Sequence, residues 1–361
     1  MESGTASARN TGAPNHQPDP AADPLMGFSE TEMVGFMRQM LLFRRFEEKV
    51  EEAYAIGKIG GFCHLHIGQE ASAAGSIGPL RDDDYLVTAY REHTQALAKG
   101  VGASQVMAEL YGKASGASAG KGGSMHIFGV DQNFMGGHGI VGGQVPLATG
   151  MGWAIKYRGE DRVAMCFMGE AAVNQGAFHE SLNMAAIWNL PVIFVVENNG
   201  YGMGTAFDRI SATRVDQRSE PYGIPASVVN GQDVLQTFRH FEKLVAEVRA
   251  GGGPRFVDVR TYRFRGHSMS DPVSGTYRSK DEVTDRIENE DPIQILRDRL
   301  FDAGLFSQEA LEAMDKEVRA EVAEAADFAD AAPLPDPSEL YTHVYSQINE
   351  HGRLFFDGRD K

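Results

Sequence analysis

A glutamate just past one apolar run and an asparagine just past the next are the residues best suited to chemistry. They are Glu170 and Asn199, within VAMCFMGEAAVNQGAFHESLNMAAIWNLPVIFVVENNGYGMG, Val163 to Gly204. A carboxylate, an amide oxygen and a nearby backbone carbonyl are hard oxygen ligands of the kind Mg²⁺ accepts, with ligand phosphates completing its shell. The run from Val163 has strand length and breaks at Gly169-Glu170-Ala171-Ala172. A helix is predicted from about Gln175 to Trp188, with Phe178, Leu182, Ala185 and Ala186 at helical spacing. The second strand, Val192 to Val196, ends at Glu197-Asn198-Asn199. Strand, loop, helix, strand is a parallel crossover unit, whose strands finish at the same sheet edge. Neighbouring ends lie about 5 Å apart, where open α/β sheets hold ligands. The expectation is a divalent cation bound with a diphosphate.

The rest of the chain supplies the scaffold. A helix from Glu30 to Ile56 fits the spacing of Met33, Phe36, Met37, Met40, Phe43 and Val50, with Ser29 and Glu32 forming a capping box. A short helix from Gln69 to about Ile77, a strand at Tyr85–Thr88 and a helix over 146–157 follow. Beyond the crossover unit the pattern predicts strand Ser227–Val229, helix Val234–Ala250, strand Phe256–Thr261, and helices near Pro292–Ala303, Ser307–Ala331 and Pro337–Ile348. Glycine is so dense between Gly112 and Gly143 that the segment reads as a poor helix or strand, suited to close backbone approach to a ligand. The expected fold is α/β, a parallel sheet flanked by helices with a helical C-terminal extension. Residues 1–27, poor in large apolar side chains, read as a disordered tail; 28–332 read as the α/β domain and 333–361 as a helical tail.

Composition narrows the function. The 361 residues carry a formal charge of −16, which argues against nucleic acid and anionic membranes as partners. An acidic protein that binds a diphosphate must supply local positive charge and a metal. Two cysteines, Cys63 and Cys166, make no disulfide framework and fit a reducing compartment. The first residues hold Arg9 alone against Glu2, Asp19 and Asp23, unlike an Arg-rich transit peptide, so a bacterial cytoplasmic setting is expected over a mitochondrial matrix. The glycines at Gly116, Gly120 and Gly122 lack phosphate-loop spacing, and those from Gly136 to Gly143 lack the dinucleotide fingerprint.

The Glu170–Asn199 segment resembles the thiamine diphosphate signature, Gly-Asp-Gly followed later by Asn-Asn. From about Phe28 to Asp336 the chain resembles the α subunits of heterotetrameric 2-oxo acid dehydrogenases. GGFCHLHIGQEA (from Gly60), TAYREH (from Thr88), GKGGSMH (from Gly120), GGHGIVGGQVPL (from Gly136) and YRFRGHSMSDP (from Tyr262) carry the likeness. The resemblance implies a thiamine diphosphate-binding fold and Mg²⁺ held by Glu170, Asn199 and the backbone oxygen of Tyr201. It implies Tyr90 and Arg91 on the diphosphate, with the N–H groups of Ala171 and Ala172, and backbone of Gly139 and Val141 at the aminopyrimidine. His64 and His267 become acid–base candidates, and His267 also a cofactor contact; an imidazole titrating near neutrality suits proton transfer. Glu170-Ala171 departs from the usual Asp-Gly, lengthening the ligand by a methylene and requiring a negative φ at Ala171. Ser268 matches a serine phosphorylated in relatives and is read here as a loop residue.

The implied activity is oxidative decarboxylation of pyruvate, with transfer of the acetyl group to lipoamide of an acyltransferase component. The chain is too short for a second cofactor-binding domain, so the resemblance implies a β subunit in a two-α, two-β heterotetramer. A branched-chain 2-oxo acid or acetoin dehydrogenase α subunit is the alternative, towards which Glu170 leans; a noncatalytic assembly subunit is the reading from another class.

Overall fold

Strand residues alternate between two apolar layers, and this builds the molecule. In the computed structural model, which describes residues 25–342, Met165, Phe167, Ile193, Val195, Val257 and Val259 point into one buried cluster. Ala164, Cys166, Met168, Val192, Phe194, Val196 and Phe256 point into the other. Strands apolar on both faces must be covered on both, as parallel sheets are, and each large side chain so buried contributes roughly 1.5–3 kcal/mol.

The sheet strands are β1 (Tyr85–Ala89), β2 (Phe134–His138), β3 (Ala164–Gly169), β4 (Val192–Asn198), β7 (Ala226–Asn230) and β8 (Arg255–Arg260); Tyr201–Gly202 (β5) and Thr205–Ala206 (β6) form a small hairpin. The six-stranded order is β2-β1-β3-β4-β8-β7, every pairing parallel. Helices α1 (Glu30–Ala55), α2 (Glu70–Ile77), α3 (His93–Ala98), α4 (Ala103–Leu110), α5 (Gln144–Arg158), α6 (Gly176–Ile187), α7 (Val234–Glu247), α8 (Lys280–Glu290), α9 (Pro292–Asp302) and α10 (Gln308–Ala331) complete it. α5 and α6 cover one face; α1, α2, α4, α7 and α10 build the other. The expected capping box starts α1: Ser29 Oγ accepts from Glu32 N at 3.3 Å, and Ser29 N donates to Glu32 Oε2 at 2.8 Å.

Three departures have physical causes. The glycine-dense segment does contain a strand, β2, at the sheet edge. An edge strand needs a ladder on one side only, and Phe134 is fully buried while Gly136 and Gly137 lie where a Cβ would meet Phe128 and Glu92. Helix α8 is almost wholly polar, with Val283 its one buried residue, so no apolar period announces it. The helix expected over Val234–Ala250 ends at Glu247 and continues as a π turn, Val248–Gly252. Pro337–Tyr341 is a 3₁₀ turn; the remainder of that expected helix, most of the tail 333–361, and residues 1–24 lie outside the described residues. Leu25–Gly27 form a turn, and the Met26 carbonyl accepts from Arg239 Nε at 3.1 Å.

Candidate active site

Chain order reverses between β1 and β3: the chain goes from β1 outward to β2, then returns to β3 on the other side. Ligands in open α/β sheets bind at such a switch point, beyond the carboxyl ends of the strands. A cavity of about 280 Å³ lies there, lined by the ends of β1, β3 and β4. All the expected site residues except His64 and Gly139 line it: Tyr90, Arg91, Val141, Glu170, Ala171, Ala172, Asn199, Tyr201 and His267. His64 is buried behind them, its ring centroid 4.5 Å from Tyr90 and 5.0 Å from His267. Gly139 is set back, where a Cβ would lie 3.3 Å from the His126 ring.

Register brings the acid and the amide together. β3 and β4 pair in parallel with Gly169 opposite Glu197, so Glu170 and Asn199 leave neighbouring strands at one edge. The Glu170 carboxylate is buried, and its Oε1 has no partner in the protein. Burial pushes this carboxyl up to about 7. Ala171 has no positive φ, and a Cβ on Gly202 would sit 2.7 Å from the Ala171 Cβ, so the methyl that departs from the family pattern is accommodated against a glycine.

The principal residue not foreseen is Arg263. It is 1% exposed, and its guanidinium donates to Asn199 Oδ1 and Tyr201 O, both at 3.3 Å, to Met203 O at 2.8 Å and to the Tyr277 hydroxyl at 2.9 Å. Two of those acceptors are the oxygens expected to face a metal, so the donor set already draws a positive group. Arg91 lies nearby, donating to the carbonyls of Leu65 and His267; burial, then the Arg263 charge, lowers it to about 10. A chain of net charge −16 thus places two guanidinium groups at this cavity. Gln69 and Gln144, also fully buried on its wall, were likewise missed. Arg263 and both glutamines lie inside blocks already singled out, but the partners that give Arg263 and Gln69 their roles are distant in the chain.

The histidines differ from expectation in protonation. Burial, then the charge of Arg91, drives His64 down to about 2 and His267 to about 3. Within the protein alone both imidazoles are neutral through the physiological range rather than poised at its centre.

The residues fit a metal-bound diphosphate. The cavity offers an unpartnered buried carboxylate oxygen, an amide oxygen and a backbone carbonyl, together with the positive charges of Arg91 and Arg263 and the unpartnered Nε–H of Arg263 for phosphate. Among the described residues no cluster of three or more His, Cys, Asp or Glu is placed to hold a metal; the set here has one carboxylate, as suits an ion that takes most of its charge from phosphates. A larger cavity of about 400 Å³ beyond Asn199 is lined by Asp258, Glu282 and Arg286. Its charges already have protein partners: Asn198 and Arg260 on Asp258, Tyr262 on Glu282, and Glu290 on Arg286.

Comparison with known proteins agrees with this geometry. Residues 38–338 match the family model described as dehydrogenase E1 component. The chain is 48% identical over 344 residues to the pyruvate dehydrogenase E1 component subunit alpha of Rhizobium meliloti (strain 1021), covering 95% of this chain and 98% of that one. It is 49% identical over 333 residues to the protein of that name from Zymomonas mobilis, covering 92% and 93%. With the human somatic mitochondrial form it shares 43% over 311 residues, covering 86% and 79%. The chain belongs to the dehydrogenase E1 component family.

Proposed function

We propose that this chain is the α subunit of a thiamine diphosphate-dependent pyruvate dehydrogenase. The observation that carries the reading is the meeting of Glu170, with its unpartnered buried oxygen, and Asn199 beside the guanidinium groups of Arg91 and the buried Arg263 at the sheet's switch point. Glu170, Asn199 and the Tyr201 carbonyl would hold Mg²⁺. Tyr90, Arg91 and the N–H groups of Ala171 and Ala172 would hold the diphosphate, and the backbone at Gly139 and Val141 the aminopyrimidine. Bound there, thiamine diphosphate would supply a carbon centre that adds to a 2-oxo acid and takes up the electrons released with carbon dioxide. His64 and His267 would serve as bases only with the bound anion beside them, whose charge would raise the basicity that burial and Arg91 hold low.

The rim supports a partner. A cavity of about 280 Å³ is small for a whole cofactor, and Ile140, Val141 and Met203 at or near it are 78%, 41% and 64% exposed. A β subunit covering this edge in a two-α, two-β heterotetramer, with a lipoyl-bearing acyltransferase as acceptor, accounts for that opening. No described helix is long and apolar enough to cross a membrane. A bacterial cytoplasmic setting is supported by the bacterial relatives and by Cys63 and Cys166 being unpaired.

The test compares carbon dioxide release from pyruvate and from 3-methyl-2-oxobutanoate by the complex with its β subunit. A tenfold or greater preference for pyruvate supports the reading. Preference for the branched acid supports the second reading, which Glu170-Ala171 in place of Asp-Gly favours, and decarboxylation by the α chain alone defeats the two-subunit site. Calorimetric titration of the complex with thiamine diphosphate and Mg²⁺ decides against a noncatalytic role; no binding would establish one.

A further inference from the structure

An asparagine amide can present either its oxygen or its NH₂ group, and only the oxygen can ligate a cation. At Asn199 the choice is made by a neighbour. Asn199 Nδ2 donates to Gln69 Oε1 at 3.1 Å, which turns Asn199 Oδ1 the other way, towards the N–H of Tyr201 and the guanidinium of Arg263, both at 3.3 Å. Gln69 has its own ambiguity, and the same contact resolves it. With Oε1 spent on Asn199, Nε2 is left on the cavity wall, buried and without a partner in the protein. Gln69 is 0% exposed. An orphaned buried N–H costs about 1–3 kcal/mol unless something accepts from it.

The backbone around Gln69 is held as firmly as its side chain. Gln69 N donates to His66 O at 3.1 Å. The preceding Gly68 has φ +97°, and a Cβ there would lie 2.6 Å from the Tyr262 carbonyl, so the chain is pressed against the segment leading to Arg263. The following Glu70 accepts from Gly68 N at 3.1 Å and is paired at 2.5 Å with Arg44, which also reaches Asp291 at 3.1 Å. The amide therefore has little freedom to turn, and the direction of its two ends is a property of the fold.

We propose that Gln69 is a positioning residue for the metal and a ligand of the diphosphate: its oxygen holds Asn199 with Oδ1 towards the cation, and its Nε2 donates to a phosphate oxygen. This rests on the functional reading above and deepens it, adding a residue that acts on metal affinity through Asn199. Partners that orient a metal ligand are worth about 10–100-fold in metal affinity. A neutral donor facing a phosphate makes a charge-assisted hydrogen bond, stronger than a neutral one.

The experiment uses the full chain assembled with its β subunit and titrates Mn²⁺, followed by electron paramagnetic resonance, at saturating thiamine diphosphate. Gln69→Leu, which keeps the bulk but neither polar end, should weaken Mn²⁺ binding at least tenfold without lowering the unfolding midpoint in EDTA by more than a few degrees. Gln69→Glu still accepts from Asn199 Nδ2 but sets an anion where the donor was. It should hold Mn²⁺ within about threefold of wild type while losing about tenfold or more in affinity for thiamine diphosphate at saturating Mn²⁺. A folded Gln69→Leu complex that binds Mn²⁺ as tightly as wild type overturns the positioning role. Should Gln69→Leu fail to fold, a Gln69→Glu complex with unchanged affinity for thiamine diphosphate overturns the proposal in its place. A wild-type complex that binds neither Mn²⁺ nor thiamine diphosphate defeats the functional reading itself, a result distinct from either.

Discussion

Replacing Glu170 by Gln should stabilise the protein in EDTA at pH 8, and Mg²⁺ with thiamine diphosphate should erase most of that advantage by stabilising wild type more. Glu170 is 2% exposed, and burial raises its carboxyl from 4.5 to about 7. A shift of that size corresponds to about 3 kcal/mol. Because the pKa is raised in the folded state, its contribution is fully present below pH 4.5 and is lost as pH rises through about 7. At pH 8 the buried carboxylate therefore costs about 3 kcal/mol, which a neutral isostere does not incur. In EDTA at pH 8 the Glu170→Gln substitution should raise the melting midpoint of the complex by roughly 3–6 °C, and at pH 5 about a quarter of that difference should remain. Ligand linkage acts the other way: Mg²⁺ with thiamine diphosphate at about 100 times Kd adds about 2.7 kcal/mol to wild type and much less to Glu170→Gln. Differential scanning calorimetry at the two pH values, with and without ligands, reads all four numbers. A variant that melts at or below wild type in EDTA at pH 8, or that gains as much from the ligands, would refute the reasoning.

His64 and His267 have pKa values lowered from 6.5, so the stability they contribute is present above pH 6.5 and is lost as pH falls below it. Each should cost about 1.4 kcal/mol at pH 5.5 in EDTA, and His64→Gln should flatten the acid limb of the melting profile by about that amount; an unchanged limb counts against it. Gly202→Ala would bring a Cβ to 2.7 Å from the Ala171 methyl and should destabilise by about 1–3 kcal/mol, with Ala171→Gly restoring most of the loss. Urea unfolding of the single and double variants tests this, and additive effects would contradict the contact. Arg263→Met should weaken thiamine diphosphate binding tenfold or more by removing a buried cation from the cavity, measured by calorimetry at saturating Mg²⁺; unchanged affinity would exclude Arg263 from the diphosphate site.

Much of the fold was legible because strands buried on both faces read as unbroken apolar runs, as Val163–Met168 and Val192–Val196 do. β2 escaped because two glycines hide its pattern, and α8 because it buries one residue. The meeting of Glu170 and Asn199 was legible for a topological reason: a crossover returns the chain to the same sheet edge. Arg263 and Gln69 were not, although both lie in blocks already noted. Their roles depend on partners far along the chain, Asn199 above all, and on which end of an amide faces the cavity. The burial beside Arg91 that lowers His64 and His267 is likewise set by packing and leaves no local trace in the sequence.

The most direct measurement is a crystal structure of the assembled complex with thiamine diphosphate and Mn²⁺, using anomalous scattering to locate the ion. One Mn²⁺ should lie within about 2.0–2.4 Å of a Glu170 oxygen, Asn199 Oδ1, the Tyr201 carbonyl and two phosphate oxygens. An ion bound elsewhere, or Glu170 and Asn199 turned away from it, would contradict the central claim.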